Sequence, residues 1–157
     1  ALAMLGTALT GCGSKDAVTN PAENTQQTAP VQQEQTQTEK ALALINTFAT
    51  GDTDTARSLL ADGYIQHNLA YGTGADAFIG SVEYLTSADV KTTVNNIRAF
   101  EDGDEVFLQT IYNFAGAGEQ IAFDIFRFGE NGKIAEHWDV METIADQSTW
   151  QNQNGKF

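Results

Sequence analysis

The segment Phe123-Asp-Ile-Phe-Arg-Phe-Gly-Glu-Asn-Gly-Lys-Ile-Ala-Glu-His-Trp-Asp139 decides the fold of the C-terminal part of the chain. Two runs of alternating apolar and polar residues flank Asn131-Gly132, and this arrangement predicts a β-hairpin with a two-residue type I′ turn. Glu130 would then pair with Lys133, and every other pair follows by counting outward. A four-residue loop would keep the same residues on each face, whereas a three-residue loop would exchange them.

The predicted register places two acidic side chains next to each other. Asp124 lies directly opposite Asp139, and on the same face Phe126 lies opposite His137. Side chains in such positions have Cβ atoms about 4.5–5.5 Å apart, and like charges there destabilise a sheet. A sequence that served stability alone would avoid this pair, so Asp124 and Asp139 are candidate functional residues.

The N-terminus is a run of small and apolar residues that ends in Leu9-Thr10-Gly11-Cys12, which resembles a bacterial lipobox. Because the apolar run lacks the basic segment that precedes it in signal peptides, residues 1–11 are interpreted as a truncated lipoprotein signal peptide. Cys12 would be the lipidated first residue of the mature protein, anchored in the bacterial cell envelope and facing the periplasm or the exterior. The alternative is an ordinary free cysteine after a chance apolar run.

Composition divides the remaining chain into two parts. Residues 12–38 are rich in Gln, Thr and Asn without any aromatic residue, which is typical of a disordered tether. Residues 39–157 have the size of one domain with a single core. The formal net charge of −13 argues against nucleic acid and against electrostatic binding to anionic lipid, since both require clustered basic residues. A neutral, cationic or small partner is expected, although the acidity could equally serve only solubility or a salty habitat.

Hydrophobic spacing and turn residues predict helices followed by a meander of strands, which indicates an α+β fold with the helices on one face of a sheet. Gly51 is the expected C-terminal cap of the first helix, and Asp52 or Thr53 the N-terminal cap of the second. The predicted helices cover residues 40–49, 53–60 and 74–87, and the predicted strands cover residues 63–68, 90–101, 104–114, 119–128 and 133–144.

The neighbouring hairpin extends the predicted site. Pairing across a loop at residues 115–118 places Gln109 beside Asp124 and Phe107 beside Phe126. The opposite face is then also largely apolar and must be covered. A second copy of the chain, giving a homodimer, is the first expectation. A C-terminal tail that folds back over this face, anchored by Trp150, is the alternative.

Several segments together resemble the SnoaL-like polyketide cyclase family of the nuclear transport factor 2-like fold: Tyr64-Ile-Gln-His-Asn68, the glycine-containing helix after it, Asp124-Ile-Phe-Arg127 and Asn131–Asp139. The resemblance covers about residues 39–145. It implies a curved, mainly antiparallel sheet wrapped by helices into a cone with an apolar pocket, often in a dimer. Enzymes of this family, which include aldol cyclases, dehydratases, isomerases and epoxide hydrolases, need no cofactor and use Asp and His residues of the pocket. Many relatives have no known reaction, so the fold alone does not assign one.

Two carboxylates that face each other in an apolar pocket cannot both ionise cheaply, so one can serve as an acid and the other as a base. Asp139 is the expected principal acid/base, and Asp124 the partner that controls its protonation. His137 and His67 are expected to orient the substrate or to shuttle a proton. The expected ligand-binding residues are Tyr64, Asn68, Phe107, Gln109 and Phe126.

Each of these roles has a structural alternative. Asp124 could form an ion pair with Arg98, His137 could be a histidine bonded to the backbone, and His67-Asn68 could cap a turn. Two Asp and two His residues also raise the question of a metal. Since no closely spaced histidine pair is present, a metal site is not favoured and no cofactor is expected.

Three functions remain open from the sequence. The first is cofactor-independent acid/base catalysis on a small hydrophobic carbonyl compound, which the facing carboxylates favour. The second is a binding module of the cell envelope that holds a hydrophobic ligand unchanged. The third is a domain that interacts with another envelope protein through its sheet. Lipid anchoring favours the last two, because cyclisation of small molecules is usually intracellular.

Overall fold

A computed structural model describes residues 34–157, so the expected signal peptide, Cys12 and most of the expected tether lie outside the described part. All three predicted helices and all five predicted strands are present, which confirms the α+β class. Within residues 34–157, no helix combines the length and the apolar character needed to cross a membrane. The elements are α1 (Gln37–Thr50), α2 (Thr53–Leu59), β1 (Leu60–Gln66), α3 (Ala75–Ser87), β2 (Thr93–Asp102), β3 (Glu105–Asn113), β4 (Glu119–Phe128) and β5 (Ile134–Thr143).

The first two helices begin and end at residues whose side chains favour these positions. Thr36 and Glu39 form a capping box, in which each side chain accepts a hydrogen bond from the other residue's backbone N–H. The helix α1 therefore starts inside the segment expected to be a tether. It ends at Gly51, whose φ of 77° is easily adopted only without a Cβ atom. Asp52 then caps α2 by accepting the N–H of Thr55.

The five strands form one sheet in the order β1-β5-β4-β3-β2, with β1 parallel to β5 and all other neighbours antiparallel. The three helices pack on one face of this sheet and form the hydrophobic core with it. We call this the inner face. Its central side chains are Val106, Leu108, Thr110, Tyr112, Ala122, Asp124, Phe126, His137, Asp139 and Met141.

The hairpin of β4 and β5 has the predicted pairing but not the predicted turn. Asp124 lies opposite Asp139, as expected. The connection has three residues, because the Gly129 N–H donates to the Lys133 carbonyl oxygen and the Gly132 N–H donates to that of Gly129, each at 2.8 Å. A three-residue loop alone would move the side chains of β5 to the opposite face of the sheet from the one predicted. A shift in register by one residue, between Arg127 and Phe128, restores the predicted pairs.

The predicted register between β3 and β4 is wrong by one residue. Leu108, rather than Gln109, lies opposite Asp124, and Gln109 and Phe107 therefore point to the other side of the sheet. The cause is the connection, which has five residues because Phe114 leaves the strand for a 3-10 turn. Ala115 adopts a left-handed conformation there, with φ of 49°. A residue other than glycine rarely does so, and no residue type in this loop indicates it.

The opposite, outer face is partly covered by the C-terminal tail. The Gln109 side chain donates to the Lys156 carbonyl oxygen at 2.9 Å, and the Lys156 ammonium forms an ion pair with Glu142. Trp150 is half-buried and donates to the Ala145 carbonyl oxygen. The large apolar side chains that stay exposed on this face are those of Phe100, Phe107, Phe123 and Val140. Coverage of this remainder by a second copy of the chain stays a prediction.

Candidate active site

A pocket lies between the helices and the inner face of the sheet. Its wall is mostly apolar, and a small polar group is concentrated on β4, β5 and the end of β1. The cavity volume is about 40 Å³. The apolar lining residues are Ile45, Phe48, Phe78, Leu85, Phe114, Phe126 and Met141, and the polar ones include Gln66, Tyr71, Tyr112, Asp124, His137 and Asp139.

Asp124 is the most buried acid of this group, with 4% of its surface exposed. His137 Nε2 lies 3.1 Å from Asp124 Oδ1, and the Tyr112 hydroxyl donates to Asp124 Oδ2 at 3.0 Å. Burial and the charge of Asp124 raise the pKa of Tyr112 well above its ordinary value, so its hydroxyl remains a proton donor. The side chain that faces Asp124 is thus that of His137 and not that of Arg98, the alternative that the sequence left open.

His137 is buried and has side-chain partners on both ring nitrogens. Its ring stacks on Phe126, with the ring centres 4.4 Å apart and the planes within 10°. Nδ1 lies 3.1 Å from Gln66 Oε1, and Nε2 faces Asp124. The expected alternative, a histidine bonded to backbone, is therefore wrong.

Asp139 is half-buried beside this network. The Asn68 amide nitrogen donates to both Asp139 carboxylate oxygens, each at 2.8 Å. Burial raises the pKa of Tyr71, and the charge of Asp139 adds to the effect. The pKa of the buried Tyr64 is raised for the same two reasons, with a smaller effect of the charge of Asp124. The Asp139 carboxylate is thus bound by the Asn68 amide and lies near the phenol groups of Tyr64 and Tyr71.

His67 does not lie in the pocket, which corrects the role expected for it. Its ring stacks on Trp138 at a centre distance of 4.5 Å, and its Nε2 lies 3.3 Å from Glu136. Alternation along β1 explains the placement, since Tyr64, Gln66 and Asn68 point inward while His67 points outward. Phe107 and Gln109 are likewise outside the pocket, because of the register of β3.

Three polar residues of the site were missed from the sequence: Gln66, Tyr71 and Tyr112. Gln66 could have been found, because two-residue alternation from the core residue Tyr64 turns it inward together with Asn68. The predicted register of β3, which places Gln109 beside Asp124, implies by alternation that Tyr112 lies on the opposite face, and this register is wrong. Tyr71 lies in the loop after β1, where no periodic pattern indicates the direction of a side chain.

Asp124, His137 and Asp139 are also the residues that could hold a metal ion. One potential ligand atom from each lies within 4.8 Å of those from the other two. In the structure, however, Asn68 donates to both oxygens of Asp139, and His137 Nε2 lies against Asp124. The same atoms therefore take part in a hydrogen-bond network that runs from Asp139 through Asn68 and Gln66 to His137 and Asp124.

Comparison with known proteins identifies relatives of this fold. The sequence pattern of the SnoaL-like domain family matches residues 41–137. An NTF2-like protein of unknown function from Cytophaga hutchinsonii is 17% identical, with a TM-score of 0.61 over 71% of this chain and 95% of that chain. An LEH-like epoxide hydrolase from M. tuberculosis is 17% identical, with a TM-score of 0.59 and 68% and 82% covered. The polyketide cyclase candidate IdmH from Streptomyces antibioticus is 18% identical, with a TM-score of 0.56 and 69% and 93% covered. No curated protein matches significantly in sequence.

Proposed function

Because the chain belongs to the SnoaL-like domain family, we propose that its pocket carries out cofactor-independent acid/base catalysis on a small hydrophobic carbonyl compound. The reaction would be of the aldol or cyclase, isomerase or dehydratase type, in which a proton is moved next to a carbonyl group. The observation that carries the proposal is the half-buried Asp139 carboxylate, which borders an apolar pocket beside the Asp124–His137 pair. The polyketide cyclase candidate and the epoxide hydrolase among the structural relatives are consistent with it.

In this mechanism Asp139 is the base. Asn68 holds the carboxylate with one amide group, and each oxygen keeps lone pairs that can accept a proton from the substrate. The hydroxyl of Tyr71 stays protonated, since its pKa is raised, and it lines the mouth where a carbonyl oxygen could bind. A hydrogen bond from Tyr71 would stabilise the negative charge that develops on this oxygen. Asp139 then returns the proton to a different atom of the substrate.

The proposal is tested by hydrogen–deuterium exchange, which requires no knowledge of the product. A panel of small cyclic and acyclic ketones is incubated with the protein in D₂O, and loss of the α-proton signal is followed by NMR. We expect the native protein to accelerate exchange of at least one ketone, and Asp139→Asn to lower this rate by about 10²–10⁴-fold. Saturation transfer from protein to ketone measures binding in the same samples.

Glu119→Gln is the matched control, because it also removes one negative charge but lies exposed at the start of β4. We expect its exchange rate to equal that of the native protein. If a ketone binds and the native protein exchanges its α-proton no faster than Asp139→Asn does, the catalytic proposal is wrong.

A binding function is the second candidate, and the mostly apolar lining of the pocket favours it. About 40 Å³ holds only a few water molecules, so the ligand in this conformation would extend into the mouth of the pocket. The module would bind a hydrophobic ligand without changing it, or bind another envelope protein through its exposed outer face. Lipid anchoring through Cys12 and a location in the cell envelope belong to this proposal.

A further inference from the structure

The side-chain amide of Gln66 connects His137, which faces Asp124, with Asn68, which binds Asp139. Its Oε1 lies 2.9 Å from the backbone nitrogen of Asn68 and 3.1 Å from His137 Nδ1. Its Nε2 donates to the Tyr64 hydroxyl at 3.2 Å. A backbone N–H can only donate, so the Gln66 atom that faces Asn68 must be the oxygen. The orientation of the amide is thus determined by its surroundings.

This orientation determines which nitrogen of His137 carries a proton. Because Gln66 Oε1 can only accept, Nδ1 must be the N–H that donates to it. A neutral ring then has its lone pair on Nε2, at 3.1 Å from Asp124 Oδ1. That contact is favourable only if one proton lies between the two atoms, either on the carboxyl group or on an imidazolium ring.

We propose that Gln66 is a positioning residue that keeps the proton of His137 on Nδ1 and thereby keeps one shared proton between His137 and Asp124. The other neutral tautomer, with the proton on Nε2, would direct the Nδ1 lone pair at the oxygen of Gln66, where two acceptors would meet. The Asp124–His137 pair is consequently neutral as a unit. Asp139 remains as the one pocket carboxylate whose charge no basic side chain of the described residues offsets.

Nitrogen-15 NMR of the histidine rings tests this proposal in the full chain without any substrate. The chain has two histidines, and His67→Gln removes the second set of ring signals and so assigns those of His137. We expect Nδ1 of His137 to bear a proton in the native protein at neutral pH. A neutral His137 ring with its proton on Nε2 in the native protein would overturn the proposal.

Two variants of Gln66 separate positioning from mere packing. Gln66→Met has a similar shape without the acceptor, so we expect the neutral ring to place its proton on Nε2, where Asp124 accepts it. Gln66→Glu keeps an acceptor oxygen, and we expect it to keep the proton on Nδ1. If Gln66→Met retains the Nδ1 proton, or if both variants lose it, Gln66 does not control the tautomer.

The outcome is independent of the proposed catalysis, because no ketone is present in these samples. If Gln66→Met does not fold, as judged by circular dichroism, the native spectrum and Gln66→Glu still decide the question. If the ring protonation is as expected but the protein accelerates no ketone exchange, only the catalytic proposal is refuted.

Discussion

Replacing Tyr112 with phenylalanine tests the network where its contacts are most buried. The Tyr112 hydroxyl donates to Asp124 Oδ2 at 3.0 Å, and both side chains are almost fully buried. Tyr112→Phe keeps the ring and its stacking on Phe114, 4.9 Å away, and removes only the donor. The carboxylate oxygen would then lack its only hydroxyl donor among the described side chains.

A hydrogen bond to a charged group contributes about 1.5–3 kcal/mol, and an unsatisfied buried acceptor costs a similar amount. We therefore expect Tyr112→Phe to lower the free energy of unfolding by about 2 kcal/mol. With a urea m-value of about 1–3 kcal/mol/M, the unfolding midpoint falls by about 1 M. The thermal midpoint falls by roughly 8 °C, at about 4 °C per kcal/mol for a domain of this size.

Urea unfolding, followed by circular dichroism, measures the free energy of unfolding of Tyr112→Phe and of the native protein. Tyr84→Phe is the control variant. Tyr84 is 76% exposed, and the loss of its hydroxyl should change the free energy of unfolding by less than about 0.5 kcal/mol. In an Asp124→Asn background the bond is no longer charge-assisted, and we expect Tyr112→Phe to cost only about 1 kcal/mol. A cost for Tyr112→Phe no larger than that for Tyr84→Phe would refute the assignment of this hydrogen bond.

Three further predictions concern other parts of the domain. Thr36→Ala removes the N-cap of α1 and should lower the free energy of unfolding in urea by about 1 kcal/mol. The pKa values of Tyr64 and Tyr112 are raised, so above about pH 10 the unfolded chain releases protons that the native state keeps. The free energy of unfolding, measured in urea, should therefore fall as the pH rises past about 10. The fall should be less steep in Tyr64→Phe, which lacks one of the two groups. If a second copy covers the outer face, Phe123→Asp should convert a dimer to a monomer in analytical ultracentrifugation, whereas Tyr84→Asp on α3 should not.

The central pair of the site was predictable because its sequence signal is local. Asp124 and Asp139 are separated by one hairpin, and their relative position depends on a single connection. The predicted turn was wrong, yet the pairing was right, because the shift in register after the three-residue loop compensates for it. The alternation of apolar and polar side chains favours this shift in register. Without it, pairing in the wrong register would expose the core residue Phe126 and bury Arg127.

The outer parts of the site were less predictable, because their positions depend on features that leave little trace in the sequence. The register of β3 depends on a left-handed Ala115, and no residue type there indicates it. Gln66 and Asn68 approach the acidic pair only because β1 crosses over to pair in parallel with β5, where Gln66 lies beside His137. A parallel neighbour is specified by the packing of α2 and α3 rather than by a turn. One hairpin therefore supplies Asp124, His137 and Asp139, while Gln66 and Asn68, distant in sequence, supply the amide groups that hydrogen-bond to His137 and Asp139.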